Sequence, residues 1–469
     1  MRMPLPITPP PATRPRVRIL GLVAVLLATA WIADLPQAAL ADAPELSRAE
    51  LIGLDLVRER MGDATPTGRG VTMGHVEGHN GEYMPDKYHN RFEGVTFVPR
   101  SGDSETLNHA QRTAGIIYGR RGLAPGVEVV HCYSTHGWLA EQYLYTRQPR
   151  MPGSDRIDVI NHSWIAHEQP NTIEMLRRAD LAADRHDVII VGGVNNRRGS
   201  SVPALMASTY NAIAVGTAGG TSSGGLTHTD GEGRSKPDIA GPEGVTSFAT
   251  PVVSAVAAML VEAALAREDA EHASRARRAE TIKVLLMAGA TKPWNWRQRD
   301  GHPLDEFLGA GVVNVDQSLR ILDAGPVDPD ASHVGYGWDS RAIDREQTIV
   351  YEIEADAPAE ELSAVLTWHR RISSRLRPHP VHRRPALSLE PRVARLELRL
   401  DYVSPDGQEG VIAESLSEVD NVQHVYLRDA PPGRYRLHVR RLDDGHDEPW
   451  DYAVAWRIGE HVPYRGDDP

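Results

Sequence analysis

The feature that most constrains this chain is a change of period near residue 325. From Gly68 to about Leu322, short apolar runs alternate with longer helical patterns. The runs are Val71–Val76, Val127–Cys132, Ile157–Ile160, Val188–Val191 and Ala212–Val215, and the helical patterns His109–Tyr118, Thr172–Asp184, Thr250–Arg267 and Arg275–Met287. Strands apolar on both faces with helices between them predict a parallel sheet covered on both sides. Beyond the linker-like Asp323–Ser332, residues alternate at period two over Thr348–Glu354, Leu362–Trp368, Arg395–Tyr402, His424–Leu427, Tyr435–Arg440 and Tyr452–Arg457. Turns such as Ser404-Pro405-Asp406-Gly407 and Pro431-Pro432-Gly433 separate them, which predicts a β-sandwich. The Arg-, Pro- and His-rich Arg370–Arg392 reads as a long mobile loop between strands. A short helical pattern, Glu45–Met61, precedes the α/β region.

At 469 residues the chain is long enough for two cores. The expected division is a signal peptide over 1–41, an α/β domain over 42–325, a linker over 326–332, the sandwich over 333–460 and a tail over 461–469. The first of these rests on Arg14, Arg16 and Arg18, the apolar run Ile19–Ala33 and the small-residue site Ala39-Leu40-Ala41. The mature chain is then expected outside the cytoplasm, in the periplasm or the medium. It should start near Asp42, with no membrane span. A net charge of −12 argues against a nucleic-acid partner. Cys132 is the sole cysteine, so stability must come from packing, and its apolar strand context reads as a buried thiol.

Open parallel sheets place their chemistry at the C-terminal ends of strands. Glu77 ends the first apolar run, Asn195 ends Val188–Asn195, and His109 opens a helical pattern. Ser247 lies in Gly244-Val245-Thr246-Ser247-Phe248-Ala249-Thr250-Pro251, just before an Ala/Val-rich helix with Pro251 expected in its first turn. A serine there meets unpaired N–H groups and the positive end of a helix dipole. The bland reading is a helix cap. A rival serine motif, Gly220-Thr221-Ser222-Ser223-Gly224, fits G-x-S-x-G, but a polar Gly-rich stretch follows it where a nucleophile elbow needs a helix. His75, Glu77 and His79 alternate and would share one face of a strand, which is the case for a metal site.

The order and spacing of these residues resemble the subtilisin-like serine peptidases, the subtilases. In that family an acid ends the first core strand, and a His-Gly-Thr-x-Val-Ala-Gly helix start, a strand ending Ala-Ala-Gly-Asn and a Gly-Thr-Ser-Met-Ala-Thr-Pro block follow. Asp158–Trp164, Lys236–Pro242 and Gly309–Asn314 resemble further family segments. The resemblance covers roughly 60–325. It implies a subtilisin-like α/β fold, a peptide or protein substrate, no cofactor and no catalytic metal. It casts Ser247 as nucleophile, His109 as base, Glu77 as the orienting acid and Asn195 as oxyanion donor, with Ser163 and Trp164 along the substrate. The expected activity is that of a secreted serine endopeptidase. The alternative is a weak or inactive subtilase fold that binds peptides; metal-dependent hydrolysis is the more distant one. The chain departs from the family pattern at Glu77 (usually Asp), at Ala110 and Gln111 after the histidine, and at Val245 (usually Gly). A glutamate is one methylene longer and must fold back to reach His109.

Overall fold

The computed structural model describes residues 45–153, 156–329, 331–377 and 386–467; the proposed signal segment lies outside them. Seven strands form one parallel sheet: β1 (Thr72–Glu77), β2 (Thr96–Pro99), β3 (Val129–Ser134), β4 (Val159–His162), β5 (Ile189–Gly193), β6 (Ile213–Thr217) and β7 (Ile239–Gly241). Their order is β7-β6-β5-β4-β1-β3-β2, and every pairing is parallel. Side-chain alternation divides the strands between two cores. Ile189 and Val191 of β5 join the core built on Val252–Leu260, while Ile190 joins that of Leu176, Ala179 and Ala183. The helices are α1 (Glu45–Leu51), α2 (Leu54–Met61), α3 (Asn108–Ile117), α4 (Thr172–His186), α5 (Thr246–Leu265), α6 (Ala270–Ala276), α7 (Ala279–Ala288) and α8 (Val315–Asp323). Helices α3 and α5 cover one face and α4 the other. By length and composition α5 is apolar enough to cross a membrane, but 83% of that window is buried inside the protein. It is the core helix of the domain.

The second region is a sandwich. Its strands are β8 (Ser332–Val334), β9 (Tyr336–Ile343), β10 (Thr348–Ala355), β11 (Ala359–Trp368), β12 (Arg371–Arg377), β13 (Ala386–Arg392), β14 (Leu396–Val403), β15 (Glu409–Ser415), β16 (Val422–Ala430), β17 (Gly433–Arg441) and β18 (Trp450–Gly459). One sheet runs β8-β10-β17-β14-β15 and the other β9-β18-β11-β16. Their pairings are antiparallel except for the short β8, which runs parallel to β10. The second sheet is buried on both faces. Val365, Ala453 and Ala455 enter the core shared with α5 and α7, while Leu366, Val454 and Trp456 face the sandwich interior. The two regions therefore share a continuous core. Polar ties seal it: Thr367 donates to the Glu280 carbonyl (2.9 Å), and Arg457 pairs with Glu361 while donating to the Ala288 carbonyl (2.9 Å).

Two expectations need correction. The stretch Arg370–Arg392 is no mobile loop in its described part: β12 and β13 form an antiparallel ribbon. Ile372 and Leu389 pack against Leu181 of α4. Arg370, almost fully buried, anchors its start by pairing with Asp180 and Asp230 and stacking over Tyr210. Apolar residues on one face of an otherwise basic segment give the ribbon a core to dock on. Helix α5 also starts four residues earlier than its sequence pattern suggests, which places Pro251 beyond the first turn, inside the helix. Lacking an N–H, Pro251 leaves the Ser247 carbonyl without its usual i+4 donor.

Candidate active site

The ends of three strands (β1, β4 and β5) and the starts of two helices (α3 and α5) carry the candidate residues at the C-terminal edge of the sheet. Glu77 is the last residue of β1, where the chain must turn at once. Gly78 makes that turn with φ +51°, and a Cβ there would collide with the Glu82 carbonyl. The Glu77 carboxylate is 2% exposed, and its Oε2 lies 2.9 Å from His109 Nδ1. A carboxylate can only accept, so Nδ1 carries the hydrogen and Nε2 is left as a base. The extra methylene of glutamate is thus accommodated. Its other oxygen, Oε1, accepts from Thr113 Oγ1 at 3.1 Å.

The electrostatics follow from this contact. The Glu77 charge raises the His109 pKa above its ordinary value, against burial and the nearby Arg112. Burial works to raise Glu77, but the charge and hydrogen bond of His109, helped by the Thr113 hydrogen bond, outweigh it and hold the carboxyl below its ordinary range.

Ser247 is the second residue of α5 and is half-buried. Val245, the residue before the first turn, has extended backbone (φ −136°, ψ 143°), so no glycine is required there. Helix α5 and His109 meet through Phe248, whose ring stacks on the imidazole with centroids 6.3 Å apart. Arg112, one turn after His109, lies over the same ring at 4.5 Å. Among the described residues no hydrogen bond joins Ser247 to His109. Ala110 is fully buried, and Gln111 turns its side chain to accept from the Asp86 N–H at 2.7 Å.

Asn195 lies two residues past β5, half-buried. Its Oδ1 accepts from the Arg197 N–H at 3.2 Å, and its backbone exchanges two bonds with Ser223 (3.0 and 2.7 Å). Sequence reasoning missed its neighbour. Asn196 Oδ1 accepts from the Thr246 N–H at 2.7 Å, and the single hydrogen of the Thr246 hydroxyl has two acceptors at 2.7 Å, Asn196 Oδ1 and the Val194 carbonyl. These bonds tie the Asn195 turn to the start of α5. Gly193 permits the approach, since a Cβ there would lie 2.9 Å from Thr250 Oγ1.

Ser163 and Trp164 directly follow β4. Ser163 is buried and accepts from Asn161 Nδ2 at 3.0 Å; Asn161 also accepts from Ser254 of α5. Trp164 walls a cavity of about 290 Å³ with Leu139, Ala140, Ala166 and Met175. The rival motifs are placed differently. Ser222 and Ser223 are fully buried in a loop, where Ser222 accepts from the Thr217 N–H. His79 lies outside β1 and faces Glu82, and among the described residues it does not gather with His75 and Glu77 into a metal-ligand grouping. Cys132 is fully buried, and burial pushes its thiol pKa up. Among the described residues one grouping has metal-ligand geometry, Asp401, Glu409 and His438 in the sandwich. There Arg399 grips both Asp401 oxygens at 2.7 Å and Arg436 holds Glu409 at 2.7 Å.

No curated protein matches the chain. Solved structures that resemble it include fervidolysin from Fervidobacterium pennivorans, a keratinolytic enzyme related to subtilisin (14% identity, 81% of this chain and 69% of that one, TM-score 0.40). MycP1 with its N-terminal propeptide removed (18%, 56% and 96%, TM-score 0.37) and the subtilase cytotoxin SubAB (15%, 59% and 95%, TM-score 0.38) are others. The model of the subtilase family matches residues 70–311, just over half of the chain and the whole span from β1 past α5. This chain belongs to the subtilase family of serine peptidases.

Proposed function

We propose that the chain is an exported serine endopeptidase that works through an acyl-enzyme. Ser247 Oγ attacks the peptide carbonyl, and its proton passes to His109 Nε2. The tetrahedral oxyanion accepts from the Asn195 side chain and the Ser247 N–H, helped by the positive end of α5. On collapse His109 gives the proton to the leaving amine, and water then hydrolyses the ester by the reverse proton path. Glu77 holds His109 in the required tautomer and stabilises its imidazolium. The substrate is an extended peptide running past Ser163 and Trp164, paired through its main chain.

The observation that carries this reading is the buried Glu77–His109 pair at 2.9 Å, with its imidazole stacked on the residue after Ser247. The open Ser247–His109 contact favours a second reading, a peptide-binding subtilase fold with little turnover. Labelling with a fluorophosphonate probe decides between them. Labelling of the folded protein that is lost in Ser247→Ala and reduced in Glu77→Gln supports the peptidase. An intact protein that does not label supports the binding module. For export, the N-terminus of the secreted protein, read by mass spectrometry, is expected at or near Asp42; a mature chain starting at Met1 would refute it.

A further inference from the structure

A glutamate is poorly suited to hold one oxygen on a histidine unaided. It has one more rotatable bond than aspartate, and each free torsion opens carboxylate positions away from the ring. In this chain the second oxygen is also held. Thr113 lies one turn after His109 on the same face of α3, and its Oγ1 is 3.1 Å from Glu77 Oε1. The same hydroxyl lies 3.2 Å from Nε2 of His75, which sits two residues before Glu77 on β1. His75 is fully buried, with its Nε2 4.0 Å from Glu77 Oε1. Tyr118, just past α3, meets its ring edge-on at 5.8 Å, Cys132 lies opposite it on β3, and Asn161 with the buried His162 lies on β4.

The His75 tautomer follows from hydrogen-bond accounting. Its Nδ1 is buried with no partner among the described residues. A hydrogen on Nδ1 would be a buried donor with nothing to bond. A hydrogen on Nε2 leaves only a lone pair unsatisfied, the lesser cost. Nε2–H then donates to Thr113 Oγ1. The Thr113 hydrogen has three oxygens within reach: the His109 carbonyl at 3.0 Å, the Ala110 carbonyl at 3.2 Å and Glu77 Oε1. The ionised carboxylate is the strongest acceptor of the three.

We infer that His75 and Thr113 are positioning residues. They form a neutral arm, from His75 Nε2–H to Thr113 Oγ1–H to Glu77 Oε1, that locks the glutamate with Oε2 on His109. The effect of this arm on turnover rests on the peptidase reading above; the hydrogen-bond chain itself does not. The arm orients Glu77 without adding charge, because burial lowers the His75 pKa to about 4. A cation in its place would compete with His109 for the carboxylate.

The test uses the full chain with ¹⁵N-labelled histidine, followed by NMR across pH, alongside kcat and KM. His75 should show the Nε2–H tautomer. Thr113→Val should bring the His109 pKa down toward its ordinary value and lower kcat on the order of tenfold, with KM unchanged. Thr113→Ser should restore both, because it keeps the hydroxyl. His75→Gln, which keeps a donor, should be milder than His75→Leu. The double variant Thr113→Val/His75→Leu should be no worse than Thr113→Val alone, since His75 acts through Thr113. An Nδ1–H tautomer at His75, or an unmoved His109 pKa in folded Thr113→Val, would overturn the inference. A wild-type chain without serine-dependent turnover would refute the peptidase reading instead, and the His109 titration would still decide the arm.

Discussion

Glu77 and Ser247 lie at the same edge of one sheet, and their surroundings differ sharply. Glu77 is enclosed, with one oxygen on His109 and the other on Thr113. Ser247 is half-buried at the start of a helix, and its link to His109 runs through the ring of Phe248. The acid–histidine half is fixed by core packing between β1 and α3. The serine half is held by the bonds that tie the start of α5 to the turn after β5 and by the Phe248 ring against His109, with no hydrogen bond from Ser247 to the imidazole among the described residues. Such contacts are commonly loose without substrate and tighten once the substrate is bound. On the peptidase reading proposed above, the alignment of α5 with α3 is what bound substrate has to complete.

The largest expected effect is at the loose half. Ser247→Ala should lower kcat on the order of 10⁶-fold if Ser247 completes the site on binding. A loss below tenfold in a folded protein would mean that the serine half never assembles. At the enclosed half, Glu77→Gln should cost about 10⁴-fold, because an amide favours the wrong His109 tautomer. The same substitution should change the pH profile. Glu77 raises the His109 pKa, and His109 must be neutral to act as a base. In the wild type, kcat/KM should therefore fall as pH drops through a value above about 6.5. In Glu77→Gln that limb should move down. A limb at the same pH in both proteins would separate Glu77 from the chemistry. Asn195→Ala should come third, at about 10²–10³-fold in kcat with little change in KM, since an oxyanion donor acts mainly in the transition state.

What the sequence made legible followed the same division between local and distant contacts. The apolar runs located the central strands to within a few residues, because burial on both faces writes itself into each segment. Glu77 and Asn195 stood out because each falls at or just past the end of an apolar run, a local position. Thr113 was hidden because its partner Glu77 lies 36 residues away. Strand β9 was missed because three consecutive polar residues, Asp339, Ser340 and Arg341, break its alternation. In the fold Asp339 is buried and held by Arg275, Arg341 and the Tyr351 hydroxyl. The ribbon of β12 and β13 was obscured by its arginines, since Ile372 and Leu389 acquire meaning only once α4 lies beneath them.

The smallest expected effect bears most directly on how the two halves are joined. Asn196 Oδ1 accepts from the Thr246 N–H and shares the Thr246 hydroxyl hydrogen with the Val194 carbonyl, and Thr246 is the residue before Ser247. Asn196→Ala removes that acceptor, leaves the Glu77–His109 pair intact and deprives a helix N-terminus of its partner. The loss corresponds to about 1 kcal/mol for the one N–H bond that has no other acceptor, and so to a fall in kcat of at most about fivefold. Asn196→Asp retains the acceptor and adds a charge favourable to the helix dipole, so it should recover much of the activity. The His109 pH limb should stay in place in both variants, because nothing that touches Glu77 has changed. A shifted limb in Asn196→Ala would show that the two halves are mechanically one unit, with the start of α5 helping to hold the imidazole through Phe248.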